Sequence, residues 1–264
     1  SVIRRLTRTE YRNTVRELLG VELDELVDGF PPEEEVNGFD NQSKSLQVSA
    51  LHVEQFMKAS ERLAEVAIER FELISPCVPM NSEAETCIVS FIENFGRKAW
   101  RRPLQDDEIQ DLLSLYRLGV AGAQQDLSHP QAHLLGVIDP INDGLTLLMG
   151  ALFQSPHFLY RVEVGTSRVE AYEDSSDRTA GEVRTLSSYE LASRLSYLLW
   201  RSMPDEELFH AASSGALNTE SGLMQQAERM LMDSRSAEGL WNFFEQWLAL
   251  DEVKSINKDK LVFP

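Results

Sequence analysis

The stretch Leu186-Ser187-Ser188-Tyr189-Glu190-Leu191-Ala192-Ser193-Arg194-Leu195-Ser196-Tyr197-Leu198-Leu199-Trp200 decides the fold class. Ser187 is a helix-capping residue type. Glu190 stands three positions on, where its side chain reaches back to the Ser187 amide in a capping box. Leu186 and Leu191 occupy the staple positions around that cap. Leu191, Leu195, Leu198 and Leu199 recur at helical spacing and predict one apolar face. The same signal returns at Leu6, Thr7, Glu10 and Tyr11, and at Leu104, Glu108 and Ile109 with Gln105 as a weaker cap. The expectation is an all-α fold: a bundle-like array of about eight to nine helices, as one unit or two subdomains.

The flanking sequence supplies enough material for such an array. The chain has 264 residues, of which 42% are hydrophobic, enough to bury a sizeable core. No apolar run approaches the ~20 residues that span a bilayer, so no membrane insertion is expected. The net charge of −18 argues against nucleic acid and against an anionic membrane surface, because both need an excess of Lys and Arg. Composition shifts divide the chain into an N-terminal helical domain over 1–75, a central helical domain over 76–165 and a C-terminal helical domain over 166–264. The last stops at Val262-Phe263-Pro264 without a cap, which reads as a cut from a longer polypeptide.

Candidate functional residues fall into a few groups. Cys77 and Cys87 are the only cysteines. They read as a disulfide closing a proline-flanked loop in an oxidising compartment, or as two free thiols. Arg4, Arg8, Arg12 and Arg16 recur every four residues. Arg97, Arg101 and Arg102, with Lys98, form the densest basic cluster. Both sets read either as internal partners of carboxylates or as docking groups for an anionic partner. His129 and His133 have helical zinc-ligand spacing, with Asp126 and Asp139 nearby, but no third ligand stands at a diagnostic distance; the alternative is a polar loop. His157, at the Ser155-Pro156 corner, reads as a metal or haem ligand, a proton donor, or a group satisfying carbonyls at a helix break. Residues 28–45 form an acidic loop whose spacing matches no EF-hand, so solvated acids are expected there. Residues 119–143 are expected to be irregular.

Four stretches together carry a resemblance. They are Arg4-Arg5-Leu6-Thr7-Arg8-Thr9-Glu10-Tyr11 through Leu19-Gly20, Phe95-Gly96-Arg97-Lys98-Ala99-Trp100-Arg101-Arg102-Pro103-Leu104, Ser155-Pro156-His157-Phe158-Leu159-Tyr160-Arg161, and Glu190 to Trp200 followed by Met203-Pro204-Asp205. Gly38-Phe39-Asp40-Asn41 fits as well. The chain resembles uncharacterised multidomain secreted proteins, abundant in planctomycetes and myxobacteria, in which domains of unknown function accompany cytochrome c modules. The resemblance implies a secreted or periplasmic location and a longer parent protein bearing haem c. No cofactor is expected within this chain, which has no Cys-x-x-Cys-His. His157 and Arg161 lie in one of the matching stretches, and they are the residues through which a cofactor would be met.

Three functions compete. The first is a helical module that docks a haem-bearing domain or chain and supports electron transfer, with the two arginine groups facing that partner. The second is an extracellular polysaccharide hydrolase using loop carboxylates between Glu33 and Asp40. The third is a non-catalytic interaction module presenting the aromatic helix Ala237 to Leu250. The residues leave open whether the chain is catalytic.

Overall fold

In the computed structural model, which describes residues 2–79, 84–128, 139–167 and 184–250, the chain is predominantly helical. Among the described residues the helices are α1 Arg8–Leu19, α2 Ala50–Glu69, α3 Phe71–Ile74, α4 Ala84–Trp100, α5 Asp106–Leu127, α6 Pro140–Gln154, α7 Pro156–Leu159, α8 Ser188–Leu199, α9 Glu206–Ser213, α10 Glu220–Met232 and α11 Arg235–Trp247. Two short ribbons accompany them. β1 Val2–Arg5 pairs antiparallel with β2 Tyr160–Glu163, and β3 Thr166–Ser167 with β4 Arg184–Thr185.

The expected helix starts form, and each does more than cap. Thr7, Gln105 and Ser187 have their backbone N–H bound by Glu10, Glu108 and Glu190 respectively. Glu10 also takes both Arg4 Nη atoms, at 2.9 and 2.6 Å, and Glu108 takes both Arg102 Nη atoms, at 2.8 and 2.6 Å. In each case the arginine stands three residues before the cap, so one carboxylate joins the incoming chain to the first helical turn. At the third start Glu190 Oε1 instead accepts the Val164 and Gly165 N–H groups, tying α8 to the end of β2.

α4 and α8 end alike. Each finishes at a tryptophan whose indole N–H bonds a distant carbonyl: Trp100 to Leu152 and Trp200 to Met230. The next residue, Arg101 or Arg201, is left-handed at φ 60° or 51°. Non-glycine residues adopt that conformation at a cost, and tertiary bonds offset it. Asp205 then caps α9 through the Leu208 N–H. Pro204 therefore precedes the cap rather than opening the helix.

A chain of aromatic rings from Tyr11 through Phe56 and Phe30, and from Phe158 through Phe153, Phe95 and Phe91 to Phe71, runs through the main core. A second cluster gathers Ala192, Trp200, Leu208, Ala212, Leu217 and Met230. Three expectations need correction. Gly119 to Leu127 is helical, because Gly119 lets α5 cross close to α6: a Cβ there would lie 2.5 Å from the Asp143 carbonyl oxygen. Leu198 is exposed; the buried side of α8 is Ala192, Ser196 and Tyr197, small or amphipathic residues that seat the helix tightly. His52, which stands in the first turn of α2 and whose residue type and position read as a surface group, is instead buried, because its Nδ1 accepts the Ser49 N–H in the α2 capping box. No helix among the described residues is long and apolar enough to cross a membrane.

Candidate functional site

Arg4 and Arg161 face one another across the β1–β2 ribbon as Cα partners. Strand alternation puts Glu163 on the same face as Arg161. α8 supplies Arg194 and Tyr197 from one face, and Arg201 follows at its left-handed end. The loop 39–42 adds Asp40, which accepts Arg201 Nη2 at 3.0 Å. α11 brings Phe243, Asn242 and Gln246, and it lies close to α8 because Gly239 has no side chain: a Cβ there would sit 2.2 Å from the Leu199 carbonyl oxygen. These elements enclose a cavity of about 540 Å³.

Four arginines line this cavity (Arg4, Arg161, Arg194 and Arg201) against three carboxylates (Glu10, Asp40 and Glu163). Burial raises the Glu10 carboxyl, but the charge and hydrogen bonds of Arg4, aided by Arg161 and Thr7, outweigh it and hold Glu10 below its ordinary range. Burial likewise lowers Arg4, and its pairing with Glu10 more than restores it. Arg161 is pulled down, by burial first and then by the neighbouring charge of Arg4. Glu163 binds Arg161 at 2.5 Å and Arg194 at 2.5 and 3.1 Å. A guanidinium has five donors. Arg161 uses Nη2 on Glu163 and leaves Nε buried without a partner. The ring of Tyr197 lies under both Arg101 and Arg161, at 5.6 and 5.3 Å, and its hydroxyl bonds Thr14 at 2.8 Å.

Arg161 and Glu163 also form one wall of a second cavity, of about 370 Å³, which contains His157, Arg101 and Arg102. His157 and Arg161 are thus brought to one hollow. The His157 ring packs against Trp100, with centroids 5.0 Å apart and planes inclined by 42°, and Arg102 Nη2 lies 3.2 Å from its Nε2. Burial first, then the charge of Arg102, favours the neutral imidazole. The carbonyls at the helix break are satisfied by Arg101, whose Nη2 bonds those of His157, Phe158 and Tyr160 at 2.5, 2.9 and 2.8 Å.

The remaining arginines lie apart. Arg8 Nε donates to the Val27 carbonyl. Arg12 lies 3.6 Å from Asp24 and 3.8 Å from Glu238, and Arg16 lies 3.4 Å from Glu17. Arg97 pairs with Glu206 at 2.9 Å. Arg4 and Arg101 are buried. In the acidic loop, Glu33 accepts the Arg8 N–H at 2.9 Å, while Asp40 reaches the larger cavity. Cys77 and Cys87 form a disulfide. Among the described residues no group of three or more His, Cys, Asp or Glu could hold a metal ion. His129 and His133 lie outside the described residues.

Family models match three successive stretches. Residues 4–69 match PSD3, a protein of unknown function (DUF1587). Residues 87–163 match PSD5, a protein of unknown function (DUF1595), and residues 186–264 match PSD4, a protein of unknown function (DUF1592). The chain carries three domains of unknown function. No curated protein and no solved structure matches it. The larger cavity draws on all three: Arg4 and Glu10 come from the PSD3 stretch, Arg161 and Glu163 from the PSD5 stretch, and Arg194, Arg201 and Phe243 from the PSD4 stretch.

Sequence reasoning missed Glu163, Arg194, Tyr197 and Arg201. A signal was present: Arg194, Tyr197 and Arg201 stand at i, i+3 and i+7, one face of a helix, and Arg161 and Glu163 at i, i+2, one face of a strand.

Proposed function

We propose that this chain is a non-catalytic recognition module that receives an anionic group in the 540 Å³ cavity. The observation that carries the reading is an arginine excess, four against three carboxylates, at one place in a chain of net charge −18. Arginines gathered at one place repel one another, as the lowering of Arg161 by the Arg4 charge shows, and a bound anion would relieve that repulsion; arginine binds carboxylate and sulfate through paired hydrogen bonds. A carboxylate hydrolase is less well supported. It needs one acid free to carry a proton, whereas Glu10 is held ionised by Arg4, and Asp40 and Glu163 are ion-paired.

Export to an oxidising compartment belongs to this proposal and rests on the Cys77–Cys87 disulfide and the family resemblance. A longer parent protein with haem c rests on the resemblance alone. In that setting a haem-bearing neighbour would be met through groups other than Arg4 and Arg101, which are buried.

The test is thermal unfolding in citrate against chloride at equal ionic strength. Citrate should raise the Tm of the wild-type chain and leave that of Arg194→Met unchanged, because ligand that binds only the folded state stabilises it by mass action. Equal Tm in both salts would reject the reading.

A further inference from the structure

Beyond an anion, the cavity mouth has a shape and a chemistry. Phe39 and Phe243 flank it, with ring centroids 6.0 Å apart and planes inclined by 30°. Trp247 continues the surface one helical turn on, 5.9 Å from Phe243 and inclined by 26°. Phe243 and Trp247 are 47% and 60% exposed, so this stacked pair presents aromatic surface to solvent beside the cavity. Carboxamides stand around the same rim: Asn41, Gln42, Asn242 and Gln246, of which Gln246 accepts the Asp40 N–H and donates to Asn242 Oδ1, leaving the Asn242 amide N–H and the side chains of Asn41 and Gln42 for a ligand.

Each part fits one feature of a sugar. Flat, exposed aromatic faces offer an apolar surface with a negative quadrupole, suited to the C–H face of a pyranose ring. Side-chain amides carry both donors and acceptors, as hydroxyl groups require. The arginines supply charge-assisted bonds for an acidic substituent. Arg194 is the accessible member: its side chain is 54% exposed, and it bonds Glu163 through Nε and Nη2 only. A protein partner would use the aromatic patch but would leave a polar, arginine-floored hollow beneath it to be filled by water. An acidic sugar fills the hollow and covers the platform together.

We infer that the ligand is an anionic oligosaccharide, with the acidic group of one unit among Arg161, Arg194 and Arg201 and the next units on Phe243 and Trp247. This rests on the anion-recognition reading above and narrows it. The acid is a uronate carboxylate or a sulfate ester, which arginine recognises alike.

Calorimetric titration of the full chain with trigalacturonate, a sulfated galactose trisaccharide and neutral galactotriose tests it. At least one anionic trisaccharide should bind tenfold or more tightly than the neutral one, and the tighter of the two identifies the acid. Phe243→Ala should weaken that binding about tenfold while keeping the citrate-induced rise in Tm. Arg194→Met should abolish both. Since Phe243 and Arg194 are each about half exposed, both variants should keep the wild-type circular dichroism spectrum. A citrate response without preference for either acidic sugar over the neutral one overturns the sugar assignment alone. Loss of the citrate response in the wild type overturns both readings.

Discussion

Arg4 and Arg161 are paired residue for residue across β1 and β2, two like charges on neighbouring strands of a two-stranded ribbon. Like charges in directly opposed positions are destabilising. Glu10 offsets one through α1, and Glu163 offsets the other along its own strand. The two carboxylates therefore relieve the repulsion across the ribbon that joins the N-terminal and central regions.

Glu10→Gln should accordingly be among the most damaging single changes. It leaves Arg4 buried beside Arg161 without its counter-ion and weakens the Thr7 capping box. Breaking one partner of a buried pair costs about 3–5 kcal/mol, read as a fall in the urea midpoint. The double variant Arg4→Met, Glu10→Gln should recover part of the loss. A single variant as stable as wild type would show that Arg4 finds another partner.

Arg101 is the second expected weak point. Arg101→Ala removes the donors to the carbonyls of His157, Phe158 and Tyr160, and orphaned buried acceptors cost about 1–3 kcal/mol each. Arg101→Gly loses the same bonds but relieves the left-handed backbone, so it should exceed the alanine variant by about 1 kcal/mol. Equal melting temperatures would deny any strain at that corner.

The α5–α6 crossing should resist any added side chain. Gly119→Ala places a Cβ 2.5 Å from the Asp143 carbonyl oxygen, a backbone atom that cannot rotate away. Overpacking of this kind costs about 1–3 kcal/mol. Gly122→Ala, on the same helix with open space around it, should be neutral or slightly stabilising.

The disulfide closes a short loop. Replacing Cys77 and Cys87 together by serine should lower stability by roughly 2–3 kcal/mol in the chain-entropy account. Wild-type protein under a strong reductant should fall to the same value.

Two groups set opposite ends of the acid response. Hydrogen bonding from Arg235, against a smaller opposing effect of burial, holds the Asp233 carboxyl at about 2. Its folded value is depressed, so its contribution is complete above the ordinary aspartate range and disappears as pH falls toward 2. Solvent screening discounts this partly exposed pair, so Asp233→Asn should cost at most about 1–2 kcal/mol at pH 7, and progressively less as pH falls through 2. His157 is also depressed, but it is neutral when deprotonated. The unfolded chain takes its proton first, so stability drops as pH falls below the ordinary histidine range of about 6.5. His157→Gln should remove that part of the slope, as followed by urea midpoints from pH 8 to 5.

Much of the scaffold was readable because its causes are local. The Thr7, Gln105 and Ser187 helix starts depend on residues three apart, and the Cys77–Cys87 loop is short enough to be read as a closed ring. The end of α5 was misread because glycines at 119 and 122 suggest a break, while Gly119 in fact serves a crossing with α6 that no local window contains. His157 attracted attention at the corner, yet the carbonyls there belong to Arg101, which is distant in sequence and close only after α4 packs beside α7.

By itself the amino-acid sequence determined the helical class and the helix starts, since capping and periodicity act within a few residues; it left the cysteine pair open between a disulfide and two thiols, and the structure forms the bond. The tertiary structure alone decided which charges meet. Arg4, Arg161, Arg194 and Arg201 come from three separate regions of the chain. Coulomb attraction depends on distance in space, so Arg4 leaves the Arg4–Arg16 stripe and, once the ribbon and α8 come together, lines a cavity with arginines far from it in sequence.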